Sequence, residues 1–318
     1  MYNEQLKNEF VREYTSSESI GNACKAVFNA TEKYEQEWSQ DICTKDETIL
    51  EPVLEEIVGF KNRSKYMRLS ILKDYAEWCI KKRVPGACDG MLKVHIVGLK
   101  KMRQQTISCP AHLESYLNKV FDPADEKTLD NIYRCYYWFA FAGIKEEDIV
   151  SIKRDNVDFV QMIVRYGGME YPIYREAIPA IKNCIELNQF LYKHPCYKAE
   201  QIWRDRYPGD TLIRGIRSNP SIKAMRVALS RHSKSKRDSG DVDLKLSYHR
   251  VWISGLFYRM YEQEQIGIEP DFKPIISQQL GLGVHKSDAG NNTQEDVKRQ
   301  LVYEYCNDYQ RWKLAHRR

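Results

Sequence analysis

Residues 129–143 read LDNIYRCYYWFAFAG, a run that is apolar and aromatic nearly all round. A helix of that kind has no face to give to water, so it must sit in the middle of a core with neighbours on every side. Stacking on bases is the other use of so many aromatics, but a continuous run at this density belongs to a core. Gly143 stands where a helix C-cap is expected. The rest of the chain must therefore supply a shell around this helix. With 318 residues and 42% hydrophobic content it has enough for one large or two ordinary domains.

The shell is mostly helical in pattern. In SKYMRLSILKDYAEWCIKKRV, Leu69, Leu72, Ala76 and Cys79 recur at helical spacing and form a stripe to be buried. VPGACDG (84–90) ends that helix, and MLKVHIVGLKKMRQQ follows as a second helical segment. Periodicity fails at QQTISCPAH, which places a boundary between a helical domain, 1–106, and a second domain, 107–318. In the second, DFVQMIVRYGGMEYPIY predicts two short strands about a Gly-Gly turn. REAIPAIKNCIELNQFLYK reads as helix, and SIKAMRVALSRHSKSKRDSGD as a basic helix running into a polar loop. Ser247 is the predicted N-cap of a further helix, with His249, Trp252, Ile253, Leu256 and Met260 on one face.

Several chemistries are absent. No stretch approaches 18 apolar residues and MYNEQLKNEF is not a signal peptide, so no membrane partner is expected. The nine cysteines include no C-x-x-C pair, which fits reduced thiols in a cytosol rather than disulfides or zinc. The seven histidines show no ligand spacing, and no phosphate-loop, zinc-protease or serine-hydrolase motif occurs, so no metal or cofactor is expected. Charge is the informative part. Residues 1–50 carry a net −5, 61–103 a net +9 and 201–250 a net +7, for +5 overall. Two separated basic blocks, with the acid kept elsewhere, fit a polyanion held between two surfaces better than solvated helix faces.

The order of elements, with AGIKEEDIVSIKRDNVDF after the apolar helix and YHRVW opening a late one, resembles the tyrosine recombinases, or phage integrases, over nearly the whole chain. That resemblance implies a mainly α fold with a small β-sheet, built as a two-domain clamp: a helical core-binding domain and an α+β catalytic-like domain. It places Lys145 where the family has its first arginine, with Asp148 as the acid that follows. The family's hairpin lysine has no counterpart in RYGGMEY, and Arg165 is the nearest base. His-x-x-Arg becomes His249 to Trp252, and Leu-Gly-His becomes Leu280, Gly281 and Leu282.

On chemical grounds these departures are expected to remove catalysis. The two arginines of such a site clamp the free oxygens of a pentacoordinate phosphate by bidentate bonds that strengthen in the transition state. A lysine keeps the charge without the planar fork, a tryptophan offers one neutral N–H, and a leucine offers nothing. Arg250 does not replace Trp252, since two residues along a helix rotate a side chain by roughly 200°. Tyr303, Tyr305 and Tyr309 are nucleophile candidates by location alone. The expected function is sequence-specific binding of double-stranded DNA by a transcriptional repressor on an inactive recombinase fold. Its expected contacts are Lys61, Arg63, Lys65, Arg68, Lys100, Lys101 and Arg103 in the first block. In the second domain they are Lys145, Arg165, Arg226, Lys234, Lys236, Arg237, His249 and Arg250. A divergent active recombinase and a protein-interaction role are the alternatives; self-association and a small protein modulator are left open.

Overall fold

Helices dominate the computed structural model, which describes the chain except for residues 58–61, 95–97, 122–129, 194–200, 216–220, 228, 231–246 and 281–293. The chain divides into two compact units, Met1–Arg103 with Phe272–Arg318, and Gln104–Asp271. The sequence boundary at 106/107 counts the C-terminal segment with the second domain, whereas its contacts count it with the first unit.

Among the described residues, the elements of the first unit are all helical. Helices α1 (Glu4–Tyr14), α2 (Glu18–Trp38), α3 (Glu47–Ile57) and α4 (Asn62–Lys81) enclose a core of Phe10, Phe28, Leu50, Leu54, Leu72 and Tyr75. Edge-on rings at its centre, Phe10 to Phe28 at 5.9 Å and Phe28 to Tyr75 at 4.9 Å, bring α1, α2 and α4 together. The predicted stripe of Leu69, Leu72, Ala76 and Cys79 is buried throughout. Beneath the core lies a fully buried ion pair, Lys7 Nζ to Glu35 Oε1 at 2.6 Å. Thr31 Oγ1 and the Ile42 N–H also donate to Glu35, so its buried oxygens have several donors. The segment expected as one helix over 91–105 is instead broken. The short α5 (Gly90–Lys93) and α6 (Leu99–Gln105) are separated at Gly98, whose φ of 86° a helix cannot carry. Helices α11 (Lys273–Leu280) and α12 (Gln294–Ala315) complete the unit, with Phe272, Tyr309 and Trp312 packed together and Arg103 Nε donating to Ala315 O at 2.9 Å.

The second unit is built around the apolar run. Helix α7 (Pro110–Val120), with proline in its first turn, packs beside α8 (Asp130–Ala142), whose Tyr136, Tyr137, Trp138, Phe139 and Phe141 are all buried. Gly143 ends α8 at φ 101°. Its N–H donates to Ala140 O and the Ile144 N–H to Phe139 O, the paired bonds of a Schellman cap. The hairpin forms as predicted about Gly167 (φ 59°) and Gly168 (φ 76°), the two left-handed residues of a type I′ turn. It pairs β2 (Ile163–Tyr166) with β3 (Met169–Pro172), and the short β1 (Val157–Asp158) adds a third antiparallel strand.

One helix expectation is corrected. Only Ile178–Glu186 (α9) of the segment 175–193 is α-helical; Gln189–Lys193 is β4, paired antiparallel with β5 (Gln201–Asp205). The alternation in QFLYK lets Phe190 enter the interior from a strand while Gln189 stays outside. Helix α10 (Tyr248–Gln265) then crosses α8, with Ser247 Oγ accepting from the Arg250 N–H at 3.4 Å as the predicted N-cap. Its buried side is wider than the face expected. It includes Tyr248, Val251, Ser254, Gly255 and Phe257, while His249 stays exposed.

Candidate nucleic-acid interface

The start of α10, with His249 and Trp252, meets the turn after α8 that carries Lys145. The tryptophan does structural work there. Its indole Nε1 donates to Gly143 O at 3.0 Å. One turn earlier, Tyr248 Oη donates to Ile144 O at 2.6 Å, and two turns later Arg259 Nη1 donates to Phe141 O. Positions 248, 252, 255 and 259 lie along one stripe of α10, and the three long side chains satisfy carbonyls that the end of α8 leaves without intrahelical partners. Gly255 is what lets the helices approach so closely: a Cβ there would lie 1.9 Å from Phe141 O. The spacing 4, 3, 4 of donor, donor, glycine and donor was legible in the sequence. Its target carbonyls were not.

His249 stacks over Trp252 with the rings 8° from parallel and their centroids 6.2 Å apart. It keeps an exposed edge, yet the protein packed around the ring and the charge of Arg250 hold its imidazole below the ordinary value. It is therefore neutral at pH 7 and presents a hydrogen-bonding ring rather than a charge. Arg250 is half-buried, which lowers its guanidinium pKa. Lys145 is half-buried and makes no ion pair or side-chain hydrogen bond among the described residues.

The sequence reading missed Glu146. Its carboxylate accepts from Arg226 Nε at 2.8 Å, from Arg226 Nη2 and from Tyr136 Oη. Burial alone would raise its pKa, but the bonds from Arg226 and Tyr136 more than offset that and hold it low. Arg226 is thus offset by an acid. So is Arg165, whose Nη1 lies 3.1 Å from Asp158 Oδ2 and whose Nε lies 3.1 Å from Glu170 Oε1, with Gln161 accepting from Nη2. A phosphate would have to compete with carboxylates for both.

In the first unit, Arg68 Nη1 is spent on Ile57 O at 2.6 Å and Lys101 Nζ on Glu56 O at 2.8 Å, both at the end of α3. Arg103 is held by Ala315 O, and the Lys100 side chain projects into solvent. Arg63 and Lys65 lie in the first turn of α4, with side chains outside the described residues. Lys61, Lys234, Lys236, Arg237 and Leu282 lie outside them altogether, as does the glycine-rich GLGVHKSDAGNN. Of the tyrosines, Tyr303 is exposed, whereas Tyr309 is buried against Trp312 and Phe272. No group of His, Cys, Asp and Glu among the described residues is arranged to hold a metal ion. No described helix is long and apolar enough to cross a membrane.

Residues 1–81 match the family model of the MrpR N-terminal core-binding domain. No curated protein matches the chain. Among solved structures, the chain is similar to XerA recombinase, at 11% identity and a TM-score of 0.37, over 89% of this chain and 94% of that one. It is similar also to the Tn1549 transposon integrase in complex with circular intermediate DNA, at 11% identity and a TM-score of 0.37, over 93% and 98%. A lambda integrase dimer bound to a core site aligns at 12% identity and a TM-score of 0.32, over 85% and 93%. The chain is thus a mainly helical protein with small antiparallel sheets, whose first 81 residues are similar to the MrpR core-binding domain.

Proposed function

We propose that this protein is a sequence-specific DNA-binding transcriptional repressor, of phage lytic genes, on a recombinase-like fold that no longer cuts DNA. The observation that carries the reading is the fate of Trp252. At the position where the resemblance implies a phosphate-clamping arginine, the only donor is an uncharged indole N–H, and it is engaged by Gly143 O. On the same helix start and the adjoining turn remain a neutral His249 and Lys145, groups that can hold a ground-state phosphate by hydrogen bonding and charge. Binding needs only that; acceleration needs donors that strengthen at the transition state, each worth on the order of 100- to 1000-fold. The likeness of residues 1–81 to a core-binding domain supports DNA as the partner. So does the basic excess of residues 61–103, part of which lies in α4 and α6. Occupancy beside a promoter then excludes polymerase without breaking a bond.

The test combines mapping with chemistry. Genome-wide mapping of bound DNA is expected to find sites clustered upstream of genes. Nicked, labelled duplexes carrying those sites are expected to form salt-sensitive complexes that vanish in detergent. A detergent-stable adduct that disappears on a single change among Tyr303→Phe, Tyr305→Phe and Tyr309→Phe would overturn the repressor in favour of a working recombinase.

A further inference from the structure

Not all of the basic excess of residues 201–250 faces solvent. Arg206 and Arg214 are buried, 6% and 4% exposed, in the loop that follows β5. That loop folds back on the segment before β1. Leu212 N donates to Ile152 O at 2.8 Å, Arg154 N to Asp210 O at 3.0 Å and Tyr207 N to Gly215 O at 2.7 Å. This brings Arg154, Arg206 and Arg214 into one charged neighbourhood with Thr211, all within the second unit.

Among the described residues, the three guanidiniums have no acid of their own. Arg206 donates to three carbonyls, Cys184 O and Leu212 O at 2.7 Å and Leu187 O at 2.8 Å, and Arg214 Nη1 donates to Gly209 O at 3.1 Å. Asp210 is engaged by Lys153 Nζ at 2.8 Å. Carbonyls satisfy N–H groups but do not neutralise charge, and a buried uncompensated cation costs several kcal/mol. Some donors also lack any acceptor among the described residues: Arg154 Nε, Arg206 Nε, Arg214 Nε and Nη2, and the Thr211 hydroxyl. In Arg214 the vacant pair is the side-on edge of the guanidinium, the edge that meets two oxygens of an oxyanion in a bidentate fork.

We propose that Arg154, Arg206, Thr211 and Arg214 form an internal site for a small tetrahedral oxyanion of the phosphate or sulfate class. Such an ion supplies acceptors in several directions and negative charge at once, the two things this cluster lacks. The strain of its positive charge is visible in Arg214, which burial and then the charges of Arg206 and Arg154 push down to about 10. Arg206 is lowered as well, by burial first. Among the described residues, Cys184 is a neighbouring group whose ionisation would compete for the role: a hydrogen bond with Cys135 and the charges of Arg206 and Arg214 lower its thiol pKa against the opposing effect of burial. The proposal does not rest on DNA binding.

The test uses the full chain, freed of oxyanions and kept in chloride buffer of constant ionic strength. Inorganic phosphate or sulfate is expected to raise Tm by about 2–4 °C once several-fold above its Kd, while added chloride does not. Arg214→Met is expected to abolish the rise and Thr211→Val to reduce it. Equilibrium dialysis with labelled phosphate on the Thr211→Val protein keeps the idea testable if the arginine variant does not fold. A response equal to that of chloride, or one unchanged in both variants, overturns the site. Loss of phosphate binding on adding a DNA duplex also overturns it, by assigning the cluster to the DNA surface.

Discussion

At the scale of single residues, Trp252 shows how one position changes its work without changing its place. Its hydrogen bond reaches Gly143, 109 residues earlier, and supplies a donor to a half-buried carbonyl. Trp252→Phe keeps an aromatic ring for His249 to stack on and removes the fused part of the indole that carries the N–H. Losing one such bond, with its acceptor left unsatisfied, costs about 1–2 kcal/mol. A fall in Tm of about 2–8 °C is expected, with DNA affinity unchanged at temperatures where the variant is folded. Affinity that falls more than tenfold in the folded variant would make Trp252 a DNA contact instead. Glu146 works in the opposite sense: it binds Arg226 and withholds that charge from any polyanion.

At the scale of elements, the α8–α10 crossing is the feature on which the site depends. Three side chains of α10 satisfy the carbonyls at the end of α8, and Gly255 sets how near the two helices come. Gly255→Ala places a methyl where Phe141 O stands, and backbone cannot yield as a flexible side chain does. The expected cost is about 1–3 kcal/mol, as for an overpacked core, or more if all three bonds lengthen together. Gly143 meets a softer obstacle in the Arg259 guanidinium, but its φ of 101° strains any other residue. Gly167, in the hairpin turn, has nothing within 4 Å of a Cβ, and Gly167→Asn is expected to be nearly neutral because asparagine tolerates its φ of 59°. Thermal melts of the Gly255 and Gly167 variants check this. Equal stability of the two would mean that the helix crossing is not a close one.

At the scale of the whole molecule, the proposed repressor uses a basic segment from each unit. Exposure refines which residues matter. Arg68, Lys101 and Arg103 have structural bonds, and Arg206 and Arg214 are interior, whereas Lys100 projects into solvent. We therefore expect Lys61, Lys65 and Lys100 changed together to alanine, and Lys234, Lys236 and Arg237 likewise, to weaken DNA binding in any sequence context. Each lost phosphate contact should flatten the plot of log affinity against log salt by about 0.9. Titrations at several salt concentrations measure that slope, and an unchanged slope removes the corresponding segment from the interface. Arg206→Ala, by contrast, is expected to lower stability and leave the slope alone, since its guanidinium is bonded to three carbonyls inside the second unit.

What the sequence determined by itself was local pattern. The buried stripe of α4, the all-apolar α8 with its glycine cap, the Ser247 N-cap and the Gly-Gly hairpin follow from side-chain period, capping chemistry and turn conformation. All of these act over a few residues. The strand Gln189–Lys193 escaped because a short apolar segment satisfies either period, and pairing with Gln201–Asp205 decides; the break at Gly98 escaped because a glycine within a helical pattern can be either helical or left-handed. Charge was legible as composition only. A count cannot distinguish Lys100, in solvent, from Arg214, in the interior, or see that Arg165 and Arg226 are offset by carboxylates. Those outcomes depend on contacts between residues far apart in the chain, where burial and the partner's charge set the energy, and only the tertiary structure brings such partners together.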